Sequence, residues 1–219
     1  MWDVCKSTEI RALWDGVFMT ERSYEQREVV DFFQLHVRVF GDDWRALGWH
    51  SRQTQYTRFA VLSEIGPLAQ RRVLDVGCGL GDLYAYLQTQ GIACDYTGYD
   101  LVPEMIARAR LRFPDVRFAV RDVLQGLGEE RFDYILSSGA FNIDFGGNMP
   151  AIQRVLREMW DCCTRGVAIN FLRTDEPVSD PIFFHYDPQE MLAYCQTFCP
   201  RVELRTDYLP NDFTLYLLA

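Results

Sequence analysis

Lysine is almost missing from this sequence. Lys6 stands alone among 219 residues, so arginine supplies every other one of the 22 basic side chains. Acidic residues number 31, which leaves a net charge of −9. That balance disfavours nucleic acid, whose binders gain affinity by neutralising phosphates with a basic surface. It disfavours an anionic membrane surface for the same reason. No apolar run approaches the roughly 18 residues needed to cross a bilayer. The segment Met1 to Lys6 lacks the basic start and continuous apolar core of a secretory leader, so a cytoplasmic location is expected. Histidine is scarce too, with His36, His50 and His185 its three copies. The seven cysteines are Cys5, Cys78, Cys94, Cys162, Cys163, Cys195 and Cys199. Their number is odd and no Cys-x-x-Cys pair occurs, which excludes the usual marks of a disulfide framework or a zinc ribbon. Cys195 and Cys199 lie four apart within an expected helix but have no His or Cys partners at ligand spacing. Buried reduced thiols, and no metal, are the expectation. The partner expected after these exclusions is a small molecule or a protein.

What is present is the profile of a soluble globular chain, 48% hydrophobic and 24% charged. Its length suits one domain of roughly 100–200 residues, with or without an extension. Residues 1–70 read as a helical N-terminal cap. Over 24–40, Val29, Val30, Phe33, Val37 and Phe40 recur at helical spacing, and Gly41-Asp42-Asp43 ends the run. An aromatic segment with a glycine break follows, Trp44 to His50. Ser51 then reads as the N-cap of a second helix carrying Tyr56, Phe59, Ala60, Leu62 and Ile65.

Residues 71–219 alternate between strand and helix patterns. Strands are expected at 72–76, 95–100, 116–121, 132–137 and 167–172, and helices at 82–90, 103–113, 150–164 and 188–198. A closing hairpin of 201–209 and 213–218 turns at Pro210-Asn211-Asp212. Pro103 suits the first turn of its helix. Alternation of this kind implies right-handed crossovers and a mainly parallel sheet. The tight final connection requires an antiparallel pairing. The expected architecture is α/β: a doubly wound, mainly parallel seven-stranded sheet with an antiparallel last strand, plus the helical cap, forming one structural unit.

The strongest local signal is Asp75-Val76-Gly77-Cys78-Gly79-Leu80-Gly81, between a strand and a helix. Glycines there let a ligand approach the backbone where a Cβ would clash. The spacing is Asp-x-Gly-x-Gly-x-Gly, distinct from the G-x-G-x-x-G of dinucleotide sites. With this motif the chain resembles the class I S-adenosylmethionine-dependent methyltransferases, over residues 71 to about 219. The resemblance implies that Asp75, Gly77, Gly79 and Gly81 form the cofactor loop. It implies that Asp100, ending the second strand, accepts from the ribose hydroxyls while Leu101 packs on the adenine. Asp122 and Val123 would then meet the adenine edge, and carbonyls at Gly77 and at Ser137 or Ser138 would hold the cofactor's ammonium group. The helix 53–58, with Tyr56, would offer hydroxyl, amide or guanidinium contacts to the cofactor. Ser138-Gly139-Ala140-Phe141 stands where amino-group methylators of DNA and protein often carry Asn/Asp-Pro-Pro-Tyr, which argues against such acceptors.

Transfer of a methyl from a sulfonium needs in-line positioning and exclusion of water more than a dedicated catalyst. A base is required only where the acceptor is protonated. His50, His185 and Tyr186 are the candidates for catalysis. Tyr56, Asn142 and Asp144 are further groups that the resemblance turns toward the acceptor. Trp44, Trp49, Tyr56, Phe59, Phe141, Phe145, Phe183 and Phe184 suit an aromatic-lined pocket for a small acceptor, whereas His36 reads as structural. The expected activity is methylation of a small-molecule or biosynthetic intermediate, with S-adenosyl-L-methionine as cofactor and S-adenosyl-L-homocysteine as product. The competing readings are a nicotinamide-dependent oxidoreductase, a non-catalytic S-adenosylmethionine-binding module and, among methyltransferases, one with a protein or RNA acceptor.

Overall fold

The computed structural model describes residues 26–175 and 180–219. Lys6, Cys5 and the first part of the expected cap lie outside them. Strands are β1 Arg72–Val76, β2 Asp95–Asp100, β3 Arg117–Val120, β4 Phe132–Ser138, β5 Cys163–Leu172, β6 Arg201–Arg205 and β7 Asp212–Leu218. Helices are α1 Gln26–Phe40, α2 Arg52–Ser63, α3 Asp82–Thr89, α4 Pro103–Arg112, α5 Asn148–Cys162 and α6 Pro188–Gln196. The strands form one sheet in the order β3-β2-β1-β4-β5-β7-β6. All neighbours through β5 pair in parallel, and β7 runs antiparallel to both β5 and β6.

Alternation along the strands builds the two layers. In β4, Ile135 faces one core while Tyr134 and Leu136 face the other; in β5, Val167 and Ile169 oppose Ala168. The first core packs under α5 and α6 through Ile152, Val155, Met159 and Met191. The second packs under α2, α3 and α4 through Phe59, Leu62, Leu83, Leu87 and Ile106. Because both faces are covered, the central strands β1, β4 and β5 are buried along most of their length. Thus α2, read from sequence as part of a cap, is one of the layers on the sheet.

Local chemistry explains the cap. Asp43 accepts the Arg45 backbone N–H and starts a short 3-10 turn, Trp44–Leu47, which Gly48 closes at φ 73°. Ser51 accepts from the Thr54 N–H and caps α2, as its sequence position implies. Val37 of α1, Ala46 of the turn, Leu80 of the glycine loop and Met105 of α4 share a small core. That core fastens α1 and the turn over the end of the sheet.

Several boundaries differ from the sequence reading. β5 begins at Cys163 and directly abuts α5, with the exposed polar residues Thr164 and Arg165 inside the strand. α6 stops at Gln196, so Cys199 lies beyond the helix. β6 stops at Arg205, and β3 at Val120, leaving Asp122 to cap a 3-10 turn, Val123–Gln125.

Candidate active site

The sheet order reverses at β1, which lies between β2 and β4. In doubly wound sheets the crevice beyond the strand ends at such a reversal is where ligands bind. Here a cavity of about 370 Å³ occupies that position. It runs from Asp100, Asp122 and Val123 across the glycine loop to Phe141, Phe183 and Asp212, and the cap closes over it.

The glycine loop is fixed by its own backbone. The N–H groups of Gly77 and Cys78 both donate to the Tyr99 carbonyl at the end of β2, at 2.8 and 3.0 Å. The Gly79 N–H donates to Asp100 Oδ2 at 2.8 Å, and the Val102 N–H donates to Asp100 Oδ1 at 2.8 Å. Gly77 and Gly79 have φ of 75° and 52°, in the left-handed region that glycine tolerates. A Cβ on Gly77 would lie 2.3 Å from the Ala140 Cβ, and one on Gly79 would lie 2.6 Å from Leu47 Cδ2. The loop is therefore clamped between the β4 end and the cap. A side chain at Gly79 meets the cap first, a constraint the sequence did not reveal.

Asp75 lies beneath this loop, 2% exposed, and accepts a hydrogen bond from the Tyr96 hydroxyl. Burial pushes its pKa up to about 7, against the opposing pull of that hydrogen bond. Burial raises Asp100 as well, opposed by the N–H groups it accepts. Burial pushes the Cys78 thiol well up, so this cysteine within the loop is held as a neutral thiol.

On the cap side, α2 presents Gln55 and Arg58 to the cavity. Gln55 Nε2 donates to Asp82 Oδ2 at 3.0 Å, tying α2 to the start of α3. Arg58 makes a bidentate pair with Asp212, Nε to Oδ1 at 2.8 Å and Nη2 to Oδ2 at 2.6 Å. The Trp49 ring centre lies 4.9 Å from the guanidinium carbon. Two buried atoms here have no hydrogen-bond partner: Gln55 Oε1, an acceptor, and Arg58 Nη1, a donor. Buried polar atoms are normally satisfied, so a matched pair of exceptions one helical turn apart marks a place built for a ligand.

Of the residues singled out from sequence, the cavity wall includes Asp75, Gly77, Gly79, Asp100, Leu101, Asp122, Val123, Ser138, His50 and Asn142. Gly81 instead provides the N-cap of α3 at φ 79°. Ser137 is fully buried, with its hydroxyl donating to the Val76 carbonyl. Tyr56 is off the wall, packing edge-on against Tyr86. His185 is half-buried and also off the wall. Tyr186 sits in the core behind the cavity: its hydroxyl donates to the Phe141 carbonyl at 2.7 Å, and its ring packs on Phe171. It supports the loop after β4 and does not face the cavity. Asp144 accepts the Gly146 N–H in that loop and is also off the wall. Among the aromatics, Trp49, Phe59, Phe141, Phe145 and Phe183 line the cavity, while Trp44 and Phe184 do not.

The sequence reading passed over Phe32, Leu172, Leu209 and Asp212, all of which line the cavity. The sequence places Asp212 in the closing turn, whereas the structure makes it the buried first residue of β7. Its partner lies 154 positions away and could not be paired with it by pattern.

Comparison with known proteins identifies methyltransferases of the same fold. A methyltransferase-domain family model matches residues 73–166. A methyltransferase of Mycobacterium tuberculosis is 30% identical over 149 residues, covering 64% of this chain and 89% of that protein. Trans-aconitate 2-methyltransferase of Escherichia coli is 37% identical over 68 residues, but these are 31% of this chain and 27% of that enzyme. Magnesium protoporphyrin IX methyltransferase of Synechocystis, solved with bound S-adenosylhomocysteine, superposes with a TM-score of 0.63 at 15% identity. That match covers 89% of this chain and 99% of that one. The plantazolicin methyltransferase BpumL, also solved with S-adenosylhomocysteine, gives 0.61 at 17% identity, covering 88% and 97%. At these identities the two structures establish the shared fold.

Proposed function

Because the chain belongs to the class I S-adenosylmethionine-dependent methyltransferases, we propose that it methylates a small molecule held between the cap and the β4–β5 end of its sheet. When bound, S-adenosylmethionine would supply a sulfonium-activated methyl for transfer to the acceptor.

The observation that carries this reading is the unpartnered pair on α2. Gln55 Oε1 needs a donor and Arg58 Nη1 needs an acceptor. The ammonium and carboxylate of an amino-acid end supply one of each. The rest of the wall fits the same orientation. Each Asp100 oxygen already accepts one backbone N–H, and a carboxylate has about four acceptor sites. The Leu101 N–H also reaches this carboxylate, which leaves at least one site for a ribose hydroxyl. Leu101, Asp122 and Val123 take the adenine, and Gly77 and Ser138 take the sulfur end. Asp75 and Asp100 place negative charge near a cationic cofactor, which favours the ionised form of both.

The acceptor then lies against Phe141, Asn142 and Phe183, closed from above by α1 and Trp49. His50 is the exposed histidine on the cavity wall. Where the acceptor loses a proton on methylation, His50 takes it and passes it to water. The cap and residues 71–219 act as one unit in this reading, since α2 packs on the sheet and contacts both ends of the cavity.

Titration calorimetry with S-adenosylhomocysteine tests the assignment. Gln55→Leu removes the unpaired acceptor. Arg58→Lys keeps a cation for Asp212 but loses the third guanidinium nitrogen. Each should weaken binding roughly tenfold, the equivalent of about 1.4 kcal/mol. Unchanged affinity in both folded variants would remove α2 from the cofactor site.

A further inference from the structure

Three buried asparagines surround the chain that leaves β4: Asn142 in the loop, Asn148 at the start of α5 and Asn170 in β5. Two of them have both ends of the amide occupied. Asn148 Oδ1 accepts the Phe145 N–H, and its Nδ2 donates to the Ile143 carbonyl at 2.8 Å. Asn170 Oδ1 accepts the Gly139 N–H, and its Nδ2 donates to Ser138 Oγ at 3.3 Å. Asn142 differs. Its Oδ1 accepts the Leu172 N–H at 3.2 Å, while its Nδ2 has no acceptor among the described residues.

The amide is fixed in this sense. The Leu172 N–H is a donor at the end of β5, and of the two ends of the amide only the oxygen can receive it. The amino group is thereby turned to the cavity, whose wall includes Asn142. A Cβ on Gly139 would lie 3.3 Å from Nδ2 and 2.9 Å from Trp49 Cη2, so this donor sits in the cleft between the loop and the cap. The residue is 7% exposed, and an amide N–H left unpaired at such burial is costly. The loop around it is braced. The Phe141 carbonyl accepts from Tyr186 Oη and Asn148 Nδ2, and the Asn142 carbonyl accepts the Phe184 N–H at 2.8 Å. A donor held by a rigid surround is preorganised for one ligand geometry. The neighbouring walls, Phe32, Phe33, Phe141, Ile143 and Phe183, offer apolar area without direction.

We propose that Asn142 is a specificity-determining residue, which orients the methyl acceptor by donating an Nδ2 hydrogen bond to an oxygen of that molecule while its remainder packs on the aromatic walls. The proposal rests on the assignment of this cavity to methyl transfer and deepens its acceptor half. It defines the substrate class as molecules that carry a carbonyl, hydroxyl or carboxylate oxygen on an apolar body. A site built to hydrogen-bond such a group rejects the analogue that lacks it, because the buried donor is then left unpaired.

The test uses a matched pair of probes, 2-acetylnaphthalene and 2-isopropenylnaphthalene, in which a carbonyl oxygen is exchanged for a methylene of nearly the same shape. Both are titrated into protein saturated with S-adenosylhomocysteine, and saturation is verified first by calorimetry. A failure there counts against the methyltransferase reading itself, separately from this proposal. With the complex formed, the ketone should bind about tenfold more tightly than the hydrocarbon. Asn142→Asp keeps an oxygen for the Leu172 N–H and loses the amino group, and should erase that preference. Asn142→Leu removes both ends of the amide and should do the same, which covers the case of an aspartate that holds a proton. S-adenosylhomocysteine affinity should stay within about threefold in both variants, since the lost donor faces the methyl acceptor. Equal binding of the two probes by the unaltered protein, or binding of neither, overturns the proposal. So does a preference that survives in both folded variants. A larger loss of S-adenosylhomocysteine affinity would assign the amino group to the cofactor and overturn it as well. Should neither variant fold, a crystal structure of the unaltered protein with the ketone decides: its oxygen lies within hydrogen-bond distance of Asn142 Nδ2, or the proposal fails.

Discussion

The end of the cavity over β1 and β2 comes from one stretch of chain, Asp75 to Asp122, plus the face of α2. The end over β4, β5 and β7 draws on segments as distant as Phe32, Phe141, Phe183 and Asp212. The first is made of backbone N–H groups, left-handed glycines and buried carboxylates, and its geometry follows from strand-end turns. The second is made of side chains that meet only after the sheet has formed. The contrast separates two kinds of information. A site that uses backbone can be written into a short motif, whereas a site that uses packed side chains is specified by the whole fold.

The contrast is most sharply tested by Gly79→Val. A β-branched residue is a poor fit at φ 52°, and its Cβ would lie 2.6 Å from Leu47 of the cap. S-adenosylhomocysteine affinity should fall by roughly 100-fold or more, with the circular dichroism of the sheet core retained. Retained affinity in a folded variant would show that the loop has no fixed geometry to lose. A smaller loss is expected for Asp100→Ala. It removes the acceptor for the Gly79 and Val102 N–H groups as well as the proposed ribose contacts. Hydrogen bonds to a charged group contribute about 1.5–3 kcal/mol each, and water recovers part of this. The expected weakening is tenfold or more by calorimetry; no change would make Asp100 a loop brace alone.

A third test concerns pH and the buried carboxylate beneath the glycine loop. Asp75 is held near pKa 7 by burial, above its ordinary 3.8. Between those values the folded protein keeps a proton that the unfolded chain releases. The contribution of Asp75 to stability is therefore present at low pH, falls as pH rises through this window, and is gone above about 7. Asp75→Asn should remove that slope. The stability of the unaltered protein relative to the variant should drop by on the order of 2 kcal/mol between pH 5 and 8 in urea titrations. A pH-independent difference would place the ionised carboxylate in the fold without penalty.

The scaffold was the more legible part of the sequence. The bounds of β1 and β2, the Ser51 cap and the position of Pro103 in the first turn of α4 all follow from local patterns. The boundary between α5 and β5 was not legible, because Thr164 and Arg165 are polar and exposed although they sit in a strand. Within the site, strand-end aspartates and glycines could be read directly. Tyr186 illustrates the opposite case. An aromatic with a hydroxyl beside a histidine in a loop resembled an acceptor contact, yet tertiary packing turned it into the core, where its hydroxyl braces the Phe141 carbonyl. Phe32 also lacked a distinguishing mark: on a helical stripe, a residue facing a cavity and one facing a core look alike.

A crystal structure with S-adenosylhomocysteine tests the central claim most directly, since it fixes which end of the cavity holds which ligand. The account predicts the adenine beside Leu101 and Asp122 and the ribose on Asp100. The amino-acid end should lie within hydrogen-bond distance of Gln55 Oε1 and Arg58 Nη1, with the sulfur open toward Phe141 and Asn142. A ligand bound outside this cavity, or one whose amino-acid end points away from α2, would contradict it.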